Sequence, residues 1–129
     1  MGANGNGQLT KMVNQICLVA NLRGVAEAFH FGLSSGRDMN KVIEVISKGA
    51  AQSCQLENRG PWMLTHKYIT GGFTVDLIFK DLNLITNEML HYNSRLPITE
   101  IIKGHFEKLK TEGKGKWDFS AIITLLKEG

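Results

Sequence analysis

Leu9, Met12, Val13, Ile16, Val19, Ala20, Val25, Ala26, Phe29 and Leu33 recur at three- and four-residue spacings, the period of an α-helix. The pattern predicts one long helix from Gln8 to about Ser34, after an opening loop of Gly and Asn residues from Met1 to Gly7. Leu18, Leu22 and Phe31 add apolar positions on other faces, so the helix is a buried central one or is covered by a partner. Ser34-Ser35-Gly36 ends it, with Gly36 suited to the left-handed residue after a helix. Asp38 can cap a short helix to about Lys48 whose apolar side is Val42, Ile43, Val45 and Ile46, with Gly49 ending it. A third helix starts after Ser53 and runs through Leu56 towards Gly60 and Pro61. Trp62 to Tyr68 stays open between loop and a further helix beginning at Pro61. After a break at Gly71-Gly72 and an extended Phe73-Thr74, a second long helix is predicted from Val75 to about His91. Pro97 precedes another from about Thr99 to Lys110. Glu112 to Lys116 reads as loop, and Asp118 or Ser120 caps a last helix ending at Lys127. No segment alternates with period two and nothing repeats. The chain is therefore read as all-α, a single domain over residues 1–129, bundled around one long N-terminal helix.

Composition adds little to that pattern. The chain is 43% hydrophobic and 21% charged, enough for one core. The longest apolar run, Ile16 to Ala20, soon meets Asn21 and Arg23, so no membrane span is expected. No signal peptide is visible, and Met1 reads as an added start codon. Cys17 and Cys54 lack metal-ligand or disulfide-framework spacing, which suits a reducing cytoplasm; Cys17 is expected to be an inert buried thiol. A net charge of +3 suits a small anionic ligand but falls short of a nucleic-acid surface. His30, His66, His91 and His105 have no metal-ligand spacing. Lys108, Lys110, Lys114 and Lys116 read as a solvated run, and Trp62, Met63 and Trp117 as packing residues.

The segment Gly5-Asn6-Gly7-Gln8-Leu9-Thr10 is neither a dinucleotide fingerprint, since Thr10 stands at the third glycine position and no strand precedes it, nor a phosphate-binding loop. Physically it is a flexible loop leading into a helix, where free N–H groups and the positive end of the dipole favour an anion. Lys11 falls near the first turn, where further positive charge is disfavoured; that suits a lysine that gives and takes a proton. Asn14 and Gln15 follow at i+3 and i+4 on the same face. On spacing alone, a solvated lysine beside two surface amides is the simpler reading.

Gly5-x-Gly7-x-x-x-Lys11-x-x-Asn14-Gln15 resembles the GxGxxxKxxN[NQ] motif that opens the C-terminal domain of the β-hydroxyacid dehydrogenases. That family takes in 3-hydroxyisobutyrate dehydrogenase and tartronate semialdehyde reductase. Further matches follow in order: Glu27-Ala28, Gly36-x-Asp38, Lys80-Asp81-Leu82, Leu96-Pro97-Ile98 and Gly113-x-Gly115-x-x-Asp118-x-Ser120. The resemblance implies a helical domain like the C-terminal domain of 6-phosphogluconate dehydrogenase, whose NAD(P)-binding Rossmann partner domain is missing here. It implies Lys11 as the general acid/base, Asn14, Gln15, Gly5 and Gly7 near a small carboxylate substrate, and Lys80 with Phe79 towards NAD or NADP. Asp81 is read as structural and Glu27 as paired within the domain. Association as a homodimer or larger assembly is implied, with no nucleic acid, membrane or metal partner. The implied reaction interconverts a small hydroxy acid and its semialdehyde or oxo form, with the chain inactive alone. The alternative is a non-catalytic helical dimerisation module.

Overall fold

In the computed structural model, residues 3–128 are described. The first helix, α1, spans Ala3–Ser34, so residues 3–7 are helical where a loop is expected; Met1 lies outside the described residues. Gly and Asn are poor helix formers, but extending an existing long helix adds a hydrogen bond for each residue fixed, and only nucleation is costly. At its other end Gly36 takes the left-handed conformation, with φ 81°. The Gly36 N–H donates to the Leu33 carbonyl and the Arg37 N–H to the Gly32 carbonyl, both at 3.1 Å, the two bonds of a Schellman cap.

α2 spans Met39–Ile46, with the Asp38 carboxylate accepting from the Asn40 N–H. It stops short of Lys48 and buries Met39, whereas Val45, expected on its apolar side, is 72% exposed. α3 spans Cys54–Thr65 with Ser53 as its cap, so Pro61 lies inside the helix rather than opening another. The missing N–H at Pro61 leaves the carbonyl of Glu57 unbonded within the helix, and Glu57 is exposed to water. A 3-10 turn, Lys67–Thr70, follows. α4 spans Val75–His91 as predicted, capped by Thr74. α5 spans Pro97–Thr111, starting two residues earlier than expected because Pro97 sits in its first turn. The closing segment Phe119–Glu128 is a 3-10 rather than an α-helix. Phe119 to Ile123 are all buried, so this stretch has no solvent face. Among the described residues there is no strand, only an isolated bridge between Thr74 and Asp118. The all-α expectation holds.

The core forms around α1. Val19, Leu22, Ala26 and Phe29 make its buried stripe and meet Leu56 and Met63 of α3, Ile78 and Leu82 of α4, Ile102, Phe106 and Leu109 of α5, and Phe119 and Ile122. α1 and α3 approach closely at Gly60, where a Cβ would lie 2.7 Å from the Phe29 ring. The other faces of α1 are open: Val13 is 62% and Phe31 75% exposed. Cys17, expected to be buried, lies on such an open face. Glu27 pairs with Arg23 at 3.0 Å as expected. The expectation of no membrane-length segment is corrected. By length and composition alone Gly7–Ser34 could cross a membrane, an 18-residue window within it having a mean hydropathy of 1.2. In this fold its buried stripe lies at the centre of the core, but only 28% of that window is buried, so the stripe accounts for part of its hydropathy.

One buried carboxylate joins three separate parts of the chain. Asp118 is fully buried and accepts from the Arg59 side chain at 3.1 Å, the Phe73 N–H at 2.8 Å, and the Ser120 N–H and hydroxyl at 2.9 and 2.6 Å. Gly72, with φ 135°, lets this happen: a Cβ there would stand 2.6 Å from the Asp118 Oδ1. Removing one member of a buried, hydrogen-bonded pair costs about 3–5 kcal/mol. Asp118→Ala should therefore lower the thermal unfolding midpoint by on the order of 10 °C or more. A midpoint within a degree or two of wild type would contradict this role.

His105 on α5 gives a second test. Burial pushes its pKa below the usual histidine value, with the Arg23 and Lys108 charges acting the same way and Glu27 opposing them. Its Nδ1 is buried without a hydrogen-bond partner. The folded state thus favours the neutral ring. Its contribution is fully present above the unfolded value of about 6.5 and is lost as pH falls through the lower, folded value. The unfolding temperature should drop on acidification below about pH 6.5, and His105→Gln should flatten that drop. An identical pH profile in the variant would contradict the assignment.

Candidate active-site groove

α1 and α4 part at one end to leave a groove of ≈ 410 Å³. Its polar lining comes from Gln8, Lys11 and Gln15 on α1 and from Asp81, Asn87 and Glu88 on α4. The spacing explains the set, because positions three, four and seven apart share one helix face. Leu84 and Ile85 floor it with Met12.

Gln15 is 5% exposed, and its amide donates to the Asp81 carboxylate at 3.0 Å. The Asn14 amide donates in turn to the Gln15 carbonyl oxygen at 2.9 Å. This thread ties α1 to α4 and fixes the bottom of the groove. Asn14 itself is exposed and lines a small cleft beside Cys17 and Cys54 instead. The two amides expected on one face thus divide: Gln15 lines the groove, and Asn14 reaches it only through Gln15.

Lys11 lines the groove and is exposed, with no hydrogen bond or ion pair among the described residues. Because α1 begins at Ala3, Lys11 stands well past the first turn, where the helix dipole is weak. Gly5 and Gly7 lie inside α1, and a Cβ on either would meet nothing within 4 Å. Only the first four N–H groups of a helix are free, so Gly5 retains one and Gly7 does not. Lys80 is exposed, outside the groove lining and without an ion pair among the described residues, Asp81 included. Phe79 packs partly against the core, with the Lys110 ammonium 4.8 Å from its ring centre. Phe79 and Lys80 are therefore not brought together with Lys11. No three His, Cys, Asp or Glu side chains converge on a metal-sized site among the described residues.

The sequence reading missed Gln8, Asn87 and Glu88 and took Asp81 as structural only. The signal was present: Gln8 is three residues before Lys11 on one face of α1, and Glu88 is seven after Asp81 on one face of α4. What it lacked was the pairing of those two faces.

The family described as the NAD-binding domain of NADP-dependent 3-hydroxyisobutyrate dehydrogenase matches residues 5–126. The chain belongs to this family, which is one of NAD(P)-dependent hydroxyacid dehydrogenases. An oxidoreductase of uncharacterised substrate from Shewanella frigidimarina is 42% identical over 99% of this chain and 44% of its own length. The 2-hydroxy-3-oxopropionate reductase of Escherichia coli is 32% identical over 98% of this chain and 43% of its own. A crystal structure of 3-hydroxyisobutyrate dehydrogenase from Salmonella typhimurium superposes with a TM-score of 0.83 at 25% identity, covering 91% of this chain and 41% of that one. The chain thus spans less than half the length of these relatives.

The thread through Gln15 gives a direct test. Gln15→Leu leaves the Asp81 carboxylate without its buried donor and should cost about 1–3 kcal/mol of stability. Asn14→Ala at the exposed end should cost about 0.5 kcal/mol or less. Equal losses in denaturant unfolding would show that the thread does not join the helices.

Proposed function

We propose that this chain is the substrate-binding and dimerisation domain of an NAD(P)-dependent dehydrogenase that interconverts a small hydroxy acid and its semialdehyde or oxo form. The observation that carries this reading is an unpaired lysine, Lys11, in a groove between α1 and α4 whose buried end is held by Gln15 and Asp81. In the complete protein an NAD(P)-binding Rossmann domain preceding this chain closes the open side of the groove, and the chain alone is inactive.

Lys11 acts as the general acid/base. In the reductive direction its ammonium protonates the carbonyl oxygen as hydride reaches the carbonyl carbon; in the oxidative direction the neutral amine takes the hydroxyl proton. Gln15 and Asp81 position α1 against α4 and so set where the Lys11 ammonium stands. Asn14 steadies Gln15, while Gly5 and Gly7 stand outside the groove lining and take no part in holding the substrate in this reading. NAD(P), when bound, supplies or accepts the hydride. Lys80 fits a dinucleotide phosphate, being an exposed cation with no ion pair among the described residues. Phe79 fits less well, since its ring is engaged by Lys110 and the core.

Dimerisation draws on a separate observation. Leu90, Tyr92, Ile98 and Ile101, around the α4–α5 connection, are 57–75% exposed, and Phe31 on α1 is 75% exposed. Such side chains favour burial against a partner.

The test uses the complete protein, following NADH and NADPH absorbance with small semialdehydes and 2-oxo acids. Lys11→Met should lower kcat by on the order of 10²–10⁴ while cofactor affinity is retained. Equal activity in both proteins would remove Lys11 from the chemistry and leave assembly as the domain's role.

A further inference from the structure

Glu88 is the groove residue that neither the core nor the proposed chemistry uses. It lines the Lys11 groove and also an adjoining apolar trough of ≈ 330 Å³ bounded by Leu9, Met12, Val13, Met89 and Tyr92. It is half-buried and makes no hydrogen bond or ion pair among the described residues. A carboxylate beside an apolar wall loses part of its hydration, and a partner that donates hydrogen bonds restores it.

The geometry fixes where that partner sits. Gln15 meets Asp81 at one end of the groove, while Leu9 shares the trough with Met89 and Tyr92 at the other. The two helices therefore run antiparallel, and Glu88 faces the Gln8 end of α1. Lys11 lies between the Gln15–Asp81 bond and Glu88. Gln8 is three residues from Lys11, about 4.5 Å along the helix axis. A substrate held at Lys11 by its reacting oxygen thus has Glu88 roughly one helical turn beyond, with Met12 and Ile85 along the way.

We propose that Glu88 is the specificity-determining residue of this groove, selecting substrates whose far end carries a hydrogen-bond donor, a hydroxyl or an ammonium, and rejecting those with a second carboxylate there. This rests on the reading of Lys11 as the acid/base. Facing carboxylates repel each other in a partly dry site, whereas a hydroxyl or ammonium supplies the donor that Glu88 lacks. Gln8 and Asn87 flank the same end and can turn either face of their amides to the same group. The class selected is a short β-hydroxyacid or semialdehyde with a polar, non-anionic tail.

The experiment uses the complete protein and a matched pair of β-hydroxyacids, alike except that the far end bears a hydroxyl in one and a carboxylate in the other. Both kcat/KM and calorimetric affinity are measured for wild type, Glu88→Gln and Glu88→Asp. Wild type should favour the hydroxyl compound by on the order of tenfold or more, the scale of a like-charge contact. Glu88→Gln should remove most of that preference through KM, with kcat on the hydroxyl compound little changed. Glu88→Asp, which keeps the charge but withdraws it, should retain part of the preference. An unchanged ratio in Glu88→Gln, or a wild-type preference for the dicarboxylate, overturns the proposal. If nothing is turned over but the affinity ratio still shifts with Glu88, the specificity assignment stands and the role of Lys11 falls.

Discussion

The buried Asp118 carboxylate holds together the segments that set where α4, one wall of the groove, begins. It takes the Phe73 N–H, the Ser120 hydroxyl and N–H, and the Arg59 side chain. The backbone around it is laced accordingly. The Asp118 N–H donates to the Tyr68 carbonyl at 2.7 Å, and the Phe119 N–H to the Phe73 carbonyl at 2.6 Å. The Val75 N–H donates to the Trp117 carbonyl at 2.8 Å, and the Asp76 N–H to the Gly115 carbonyl at 2.9 Å. These last two donors belong to the first turn of α4, so the chain's final segment determines where α4 begins. From there the helical period does the rest: Asp81 arrives opposite Gln15 and Glu88 opposite the Gln8 end of α1. A carboxylate far in sequence from Lys11 thereby acts on the groove through the placement of one helix.

α1 has a double use. Its stripe Val19, Leu22, Ala26 and Phe29 is fully engaged by the other helices, while the stretch before Gln15 packs Met12 against the core and carries Lys11. Burial of apolar area fixes the body of the helix, and the hydrogen bond from Gln15 fixes the overhang against α4. The remaining apolar faces, Val13 and Phe31 among them, stay open in this fold. That division explains why the helix is apolar almost all round and yet serves one modest domain.

Much of this was legible beforehand. The class, the end of α1 at Ser34, the Asp38 cap, the start of α3 after Ser53 and both ends of α4 follow from spacing and cap residues, because those are local effects. The misses have tertiary causes. Residues 3–7 are helical because a long helix extends cheaply through weak formers. Pro61 continues α3 where the residue whose carbonyl loses its donor, Glu57, is an exposed one. The closing segment winds as a 3-10 helix where residues 119–123 are buried on every side. At the site, motif order pointed to Lys11 and its two amides, but only the meeting of α1 with α4 separates Gln15 from Asn14 and adds Asp81 and Glu88. Phe79 and Lys80 are adjacent in sequence and yet face different surroundings.

The central claim is that the reacting oxygen of a hydroxy acid sits at Lys11. The most direct measurement is a crystal structure of the complete protein with oxidised cofactor and a slow β-hydroxyacid substrate. The Lys11 ammonium should lie about 3 Å from the substrate hydroxyl, with the Gln15–Asp81 bond intact below it. A substrate bound elsewhere, or a Lys11 side chain turned out to solvent in that complex, would contradict the account.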